Sequence, residues 1–237
     1  MLKLLALCCL LLPHQESSLI DKLLAELDLE KENCRADLIV TKALPHDPAT
    51  TVVVIPENAE DGDFYAIYHN HVLLVDTETG KIKSRYFKER GLTTDAVRLE
   101  AITIDTAPYL LKDNQRAFGI RVSYTGSSGP NPYSSQDLTL FLTEGAELWP
   151  ILEEFTIEQY NGDWNTRCAG EFLKQEKVVI ITKNKTDGYF DLTIRNKQTK
   201  TVAKPVGGDC KRTETIDRVS TVLKYDKEKR AYLLSTQ

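Results

Sequence analysis

From residue 34 onward, apolar and polar residues alternate with a period of two, the pattern of strands with one face buried and the other wet. Phe64, Ala66 and Tyr68 alternate with Tyr65 and Ile67, a turn at His69-Asn70 leads into 72–75, and Glu78-Thr79-Gly80 turns the chain into Ile82, Ser84 and Tyr86. This predicts a three-strand meander. Val97 and Leu99 lie on one phase and Ile102 and Ile104 on the other, which predicts a bulge or break at Ala101. Phe118, Ile120, Val122 and Tyr124 form the clearest strand, and Leu138, Leu140 and Leu142 resume the pattern after a Gly-, Ser-, Pro- and Asn-rich loop over 125–136. Glu144-Gly145 turns into a strand over 148–160. A hairpin over 178–182 and 189–194 turns at Thr186-Asp187-Gly188, and a last hairpin over 222–234 turns near 226–229. Turns at such regular spacing, with no long internal helix, predict an all-β fold with antiparallel strands: a meander, sandwich or barrel, or propeller-like blades.

The period is helical only before this region. Leu19, Ile20, Leu23, Leu24 and Leu27 predict one N-terminal helix over about 18–30, capped by Ser17 or Ser18 and carrying Asp21 in its first turn. Ahead of it stand Lys3, an apolar run over 4–12 too short to span a bilayer, and Pro13, the layout of a secretory signal. The residues over 13–16 lack the small side chains of a cleavage site, so cutting after Ser17 or Ser18 fits best. The pair Cys8-Cys9 suggests a lipid anchor, but Leu7 stands where a small residue is required. The chain therefore divides into a signal or anchor segment (1–18), a helix (19–33) and a β-rich domain (34–237). A candidate seam lies at 161–174, where Gly and Asn gather around Trp164 and Cys168.

Charge and cysteine content narrow the roles open to such a fold. Lys and Arg total 30 against 35 Asp and Glu, a net charge of −5, and removing 1–18 takes away one base (Lys3) and one acid (Glu16). The remaining basic residues alternate with apolar ones or sit in turns, so no basic patch argues for nucleic acid, and a membrane enters only through the N-terminal segment. Export leaves Cys34, Cys168 and Cys210 in an oxidising compartment such as the periplasm. Cys168 with Cys210 is the preferred disulfide because Cys34 lies far off beside the helix; pairing of Cys34 with either stays open.

The candidate chemistry is sparse. His69 and His71 share a face near Asp61, Asp63 and Asp76, but no third His or Cys has ligand spacing, so neither metal nor cofactor is expected. The stretch Thr186-Asp187-Gly188-Tyr189-Phe190-Asp191-Leu192 resembles the end of the calcium loop in integrin-type FG-GAP propeller repeats. Lys183 and Lys185 occupy the first and third ligand positions, so the resemblance implies the shape of the turn and no calcium. Gly126-Ser127-Ser128-Gly129 is not a nucleophile elbow, and Glu153-Glu154, as strand neighbours, face opposite sides. An enzyme is not expected. The binding candidates are Tyr124, which leads into the 125–136 loop, and Ser127, Ser128, Tyr133 and Ser134 on that loop, whose aromatic and small polar residues suit protein recognition. The expected role is a secreted or periplasmic binding protein, an inhibitor or immunity-type factor that occludes a protein partner. The alternatives are a carbohydrate-active or other hydrolytic envelope enzyme, marked by a concave site joining Trp164 to Asp163 or Glu171, and a structural envelope component.

Overall fold

The structure, a computed structural model, describes residues 12–235, and their side chains from residue 19 on. Residues 1–11, with the expected signal and the Cys8-Cys9 anchor, lie outside the described residues. The helix α1 (Leu12–Leu27) begins earlier than expected. Pro13 lies in its first turn, where proline gives up no helical hydrogen bond, so the helix runs through it and through Ser17 and Ser18. Among the described residues no helix is long and apolar enough to cross a membrane.

The remainder is strand: β1 (Val40–Leu44), β2 (Asp47–Asp61), β3 (Ala66–Asp76), β4 (Ile82–Thr94), β5 (Val97–Lys112) and β6 (Gln115–Gly126). These are followed by β7 (Tyr133–Glu144), β8 (Glu147–Trp164), β9 (Gly170–Thr186), β10 (Tyr189–Val206), β11 (Asp209–Asp226) and β12 (Ala231–Leu234). Sequential neighbours pair antiparallel except β4 and β5, and a single parallel bridge, Arg85 with Glu147, joins β4 to β8. The strands thus form two meanders, β1–β4 and β5–β12, on one hydrogen-bonded path and not separate propeller blades.

The layering follows from which residues are apolar on which face. Val52 and Val54 of β2 and Val72 and Leu74 of β3 pack inward on Ile102, Ile104, Phe118, Ile120 and Phe141. Their neighbours Val53, Ile55, Leu73 and Val75 pack outward under Leu23 and Leu24 of α1. A strand covered on both faces shows no alternation, which is why 52–55 escaped the period-two search. The layer of β5–β7 is also two-faced. Leu138, Leu140 and Leu142 point away from the first core into a second one with Ile151, Leu192, Ile194, Leu223 and Tyr232. Gly119 lets β6 lie close in this layer, because a Cβ there would come within 2.8 Å of the Leu138 side chain.

An ion pair ties β5 to β6. Both Nε and Nη2 of Arg121 donate to Asp105 Oδ2 (2.9 and 2.6 Å), as does the Tyr109 hydroxyl (2.8 Å), while the Ala107 N–H donates to Oδ1 (2.9 Å). Burial pushes the Asp105 pKa up, but the Ala107 N–H, Tyr109 and Arg121 together outweigh it and hold the carboxyl below the ordinary carboxylate value. A depressed folded-state pKa contributes stability above the unfolded value, and that contribution is lost as pH falls through the folded one. Asp105→Asn is therefore expected to lower stability at pH 7 by about 2 kcal/mol and to change little near pH 2. Urea midpoints at the two pH values check this.

The predicted disulfide is present: Cys168, in the β8–β9 turn, is bonded to Cys210 at the start of β11. The bridge pins the outlying part of the second meander. From 195 to 206 only Ala203 is buried, and every residue from 204 to 222 is exposed. The expected seam at 161–174 is the end of β8, a short turn and the start of β9, paired from Glu158 with Glu176 to Trp164 with Gly170. Cys34 remains a free thiol buried under α1.

Candidate functional site

The two meanders part at one end of the first core and leave a cleft of about 650 Å³. Its floor is apolar, with Leu92, Ile120, Val122 and Phe141. One wall is β4, with Tyr86, Lys88 and Arg90; the other carries Tyr124, Tyr133, Ser135 and Asp137 of β6 and β7, with Glu153 and Glu154 of β8 at the rim. A strand ladder breaks on each side. On β4, Glu89, Arg90 and Gly91 oppose the single residue His69, and on β8, Glu153 and Glu154 oppose Thr139. Arg90 (φ 51°) and Glu154 (φ 47°) are held in the left-handed region, which non-glycine residues seldom enter. Bulges and such strained residues gather at functional sites, where they re-aim side chains.

The bulge on β8 corrects the expectation for its carboxylates. Glu153 and Glu154 do not face opposite sides: Oε1 of each lies 2.8 Å from Lys88 Nζ. Burial works against the Lys88 charge, but the two carboxylates prevail and raise its pKa above that of ordinary lysine. Arg90 is likewise occupied, by Glu60 at 2.8 Å. Asp137 is in no ion pair among the described residues, although the charge of Lys177 acts on it weakly. The Thr156 hydroxyl donates to its Oδ1 (2.6 Å), while burial and then the charge of Glu154 raise its pKa. Tyr86 and Tyr124 are both pushed up to about 12, first by burial and then by neighbouring carboxylates. The Tyr86 hydroxyl donates to Glu153 (3.2 Å), whereas the Tyr124 hydroxyl has no hydrogen-bond partner among the described residues.

Asn70 is the anomaly of the cleft. It lies between Tyr68 and Val72 on the inward face of β3, 9 % exposed, and its Oδ1 is buried without a hydrogen bond. An unsatisfied buried amide oxygen costs about 1–3 kcal/mol, so the fold gives up stability to keep an acceptor here.

Of the residues singled out from sequence, Tyr124 and Tyr133 line this cleft: Tyr124 lies in β6, in the strand its alternation predicts, whereas Tyr133 lies in β7 and not in the expected loop. Ser134 pairs with Thr125 in the same hairpin, so the connection is 127–132 and shorter than the expected loop. Ser127 and Ser128 are exposed in it. The connection is also tied down, since the Trp164 ring N–H donates to Gly129 O (2.7 Å), its backbone N–H to Pro130 O (3.0 Å) and the Gly162 N–H to Pro132 O (3.1 Å). It does not protrude freely. Trp164 also packs on Phe172, with ring centroids 6.0 Å apart, and Glu171 is paired with Lys200 at 2.8 Å. Asp163 and Glu171 share a shallow groove that Trp164 does not line.

His69 and His71 do not sit at a turn, because β3 runs through them. His71 Nε2 lies 2.8 Å from Glu57, and His69 Nδ1 accepts the Arg90 N–H (3.1 Å). Among the described residues no group of three His, Cys, Asp or Glu is placed to hold a metal. The Asp187-Gly188 turn has positive φ at both residues (49° and 83°), the hairpin form that matches strand twist, and Asp191 accepts a hydrogen bond from the Thr186 hydroxyl (2.7 Å). Comparison with protein-family models, curated proteins and solved structures finds no match to this chain.

Proposed function

We propose that the chain is an exported binding protein whose cleft holds a basic segment of a protein partner, masking it as an inhibitor or immunity-type factor would. Asn70 carries this reading: its side chain lines the cleft while its amide oxygen is buried and unbonded, and a turn of that amide would offer the oxygen to a donor from outside. Charge favours the same occupant. Lys88 and Arg90 are neutralised within the chain, while Asp137 has a hydroxyl for a hydrogen-bond partner and only the weaker, unpaired attraction of Lys177. A lysine or arginine side chain would supply the donors and lay its apolar stem along the Tyr124 and Tyr133 rings. The Cys168–Cys210 bridge supports an oxidising compartment as the place of action.

Trilysine, titrated against the oxidised protein and followed by NMR, is expected to move the Asn70 side-chain amide and the Tyr124 and Tyr133 rings. Because the Asp137 pKa is raised, its ionised form gains on the neutral one as pH rises through that value, so affinity should increase in the same direction. Asn70→Leu should abolish these shifts while raising stability by about 1 kcal/mol, since it removes an unsatisfied amide. Shifts scattered over the acidic surface, or shifts at the two tyrosines induced by chitotriose and not by trilysine, would overturn the proposal. The second result would favour a carbohydrate.

A further inference from the structure

β11 is an open edge over most of its length. It pairs with β10 from Asp209 to Leu223 without a register shift, but β12 covers only 223–226. The Ser235 N–H donates to Val222 O, so the backbone groups of Val222 point toward the β12 side. Backbone N–H and C=O groups alternate sides along a strand, so Arg212, Glu214, Ile216, Arg218 and Ser220 present theirs along the same side, where no strand of the described residues follows. All five residues are exposed, and Ile216 is 45 % exposed. Neither Glu214 nor Arg218 has a charged partner among the described residues.

We propose that this edge pairs with the same edge of a second copy, antiparallel, about a two-fold axis at Ile216. A two-fold axis perpendicular to a sheet requires the central residue to oppose its own copy, so each register can be tested by its charges. Centring on Glu214, Asp217 or Arg218 sets a charge against itself; centring on Thr215 sets Arg212 against Arg218; centring on Thr213 sets Asp209 against Asp217. Centring on Ile216 sets Glu214 against Arg218 of the second copy twice over, Arg212 against Ser220 and Thr213 against Val219, and no like charges meet. The same register matches every outward backbone group from Arg212 to Ser220 with an outward group of the other copy. Centres further along run into β12 and shorten the pairing.

The outward charges therefore choose one partner and one register, which is also how edge strands avoid open-ended aggregation. Sedimentation of the oxidised protein over a concentration series is expected to show a monomer–dimer equilibrium. Glu214→Arg and Arg218→Glu should each weaken the dimer about tenfold, because each turns both attractive pairs into repulsive ones. An equimolar mixture of the two variants should restore wild-type affinity, since the first variant carries only bases at the two positions and the second only acids, and the two edges attract. Ile216→Pro, which removes an outward N–H and leaves the β10 ladder intact, should abolish dimerisation with an unchanged circular dichroism spectrum. A wild-type protein that stays monomeric throughout would overturn the proposal. So would variants that dimerise as tightly as wild type, a mixture no tighter than its components, or a monomer that instead takes up a foreign strand peptide.

Discussion

Phe141→Ala is expected to lower the unfolding free energy by about 3–5 kcal/mol, the range for emptying a well-packed aromatic site. Phe141 is 2 % exposed, stacks on Phe118 at 5.6 Å between ring centroids and takes the edge of Tyr86 at 5.0 Å. It lies in β7, the layer that separates the two cores, and its strand neighbours Leu140 and Leu142 belong to the opposite face. A void there leaves the first core without its centre and loosens the Tyr86 wall of the cleft, so binding should fall with stability. Phe141→Leu, which keeps most of the volume, should restore much of both. Urea denaturation of the two variants checks the order; an alanine variant within about 1 kcal/mol of wild type, a loss typical of surface changes, would show that the layers are not packed as described.

Replacing Cys168 and Cys210 together by alanine should have a comparable effect by a different route. The two cysteines are 42 residues apart, and closing a loop of that size removes about 4 kcal/mol of chain entropy from the unfolded state. The loss should be uneven. The outer parts of β10 and β11 bury almost nothing except Ala203, so backbone pairing and the bridge hold them in place with little help from a core. Amides over 196–221 should therefore lose hydrogen-exchange protection first, while those of Val53, Leu73 and Leu140 keep theirs. Equal protection of the outer amides in the variant and the wild type would defeat the prediction.

What the sequence disclosed follows from which residues met water on one side only. Strands such as 82–86, half buried, announced themselves by alternation, and the Asp187-Gly188 and 226–229 turns by their residues. The bridge followed from the three cysteines counted beyond residue 18 and the expectation of an oxidising compartment. β2 was hidden because α1 covers its second face, and β9 to β11 looked short because their outer halves are amphipathic on neither side. The cleft was half visible. Tyr124 and Tyr133 were singled out, though Tyr133 as part of a loop whose far end proves to be strand. Its remaining members depend on two bulges that no local pattern signals: one re-aims Glu154 toward Lys88, the other breaks the β4 ladder beside Asn70. A polar asparagine at an inward position, between Tyr68 and Val72, was the one trace available, and the turn assigned at His69-Asn70 masked it.

The free thiol under α1 bears on how the chain oxidises. Among the described residues three cysteines, Cys34, Cys168 and Cys210, allow three pairings, and two of them would pull Cys34 out of its packing under the amino-terminal helix. Cys34 is 8 % exposed, and burial, followed by the charge of Glu57, pushes its pKa up, so little of the reactive thiolate forms. Once the helix docks, this competitor is sequestered, and an oxidant arriving afterwards finds a single outcome left.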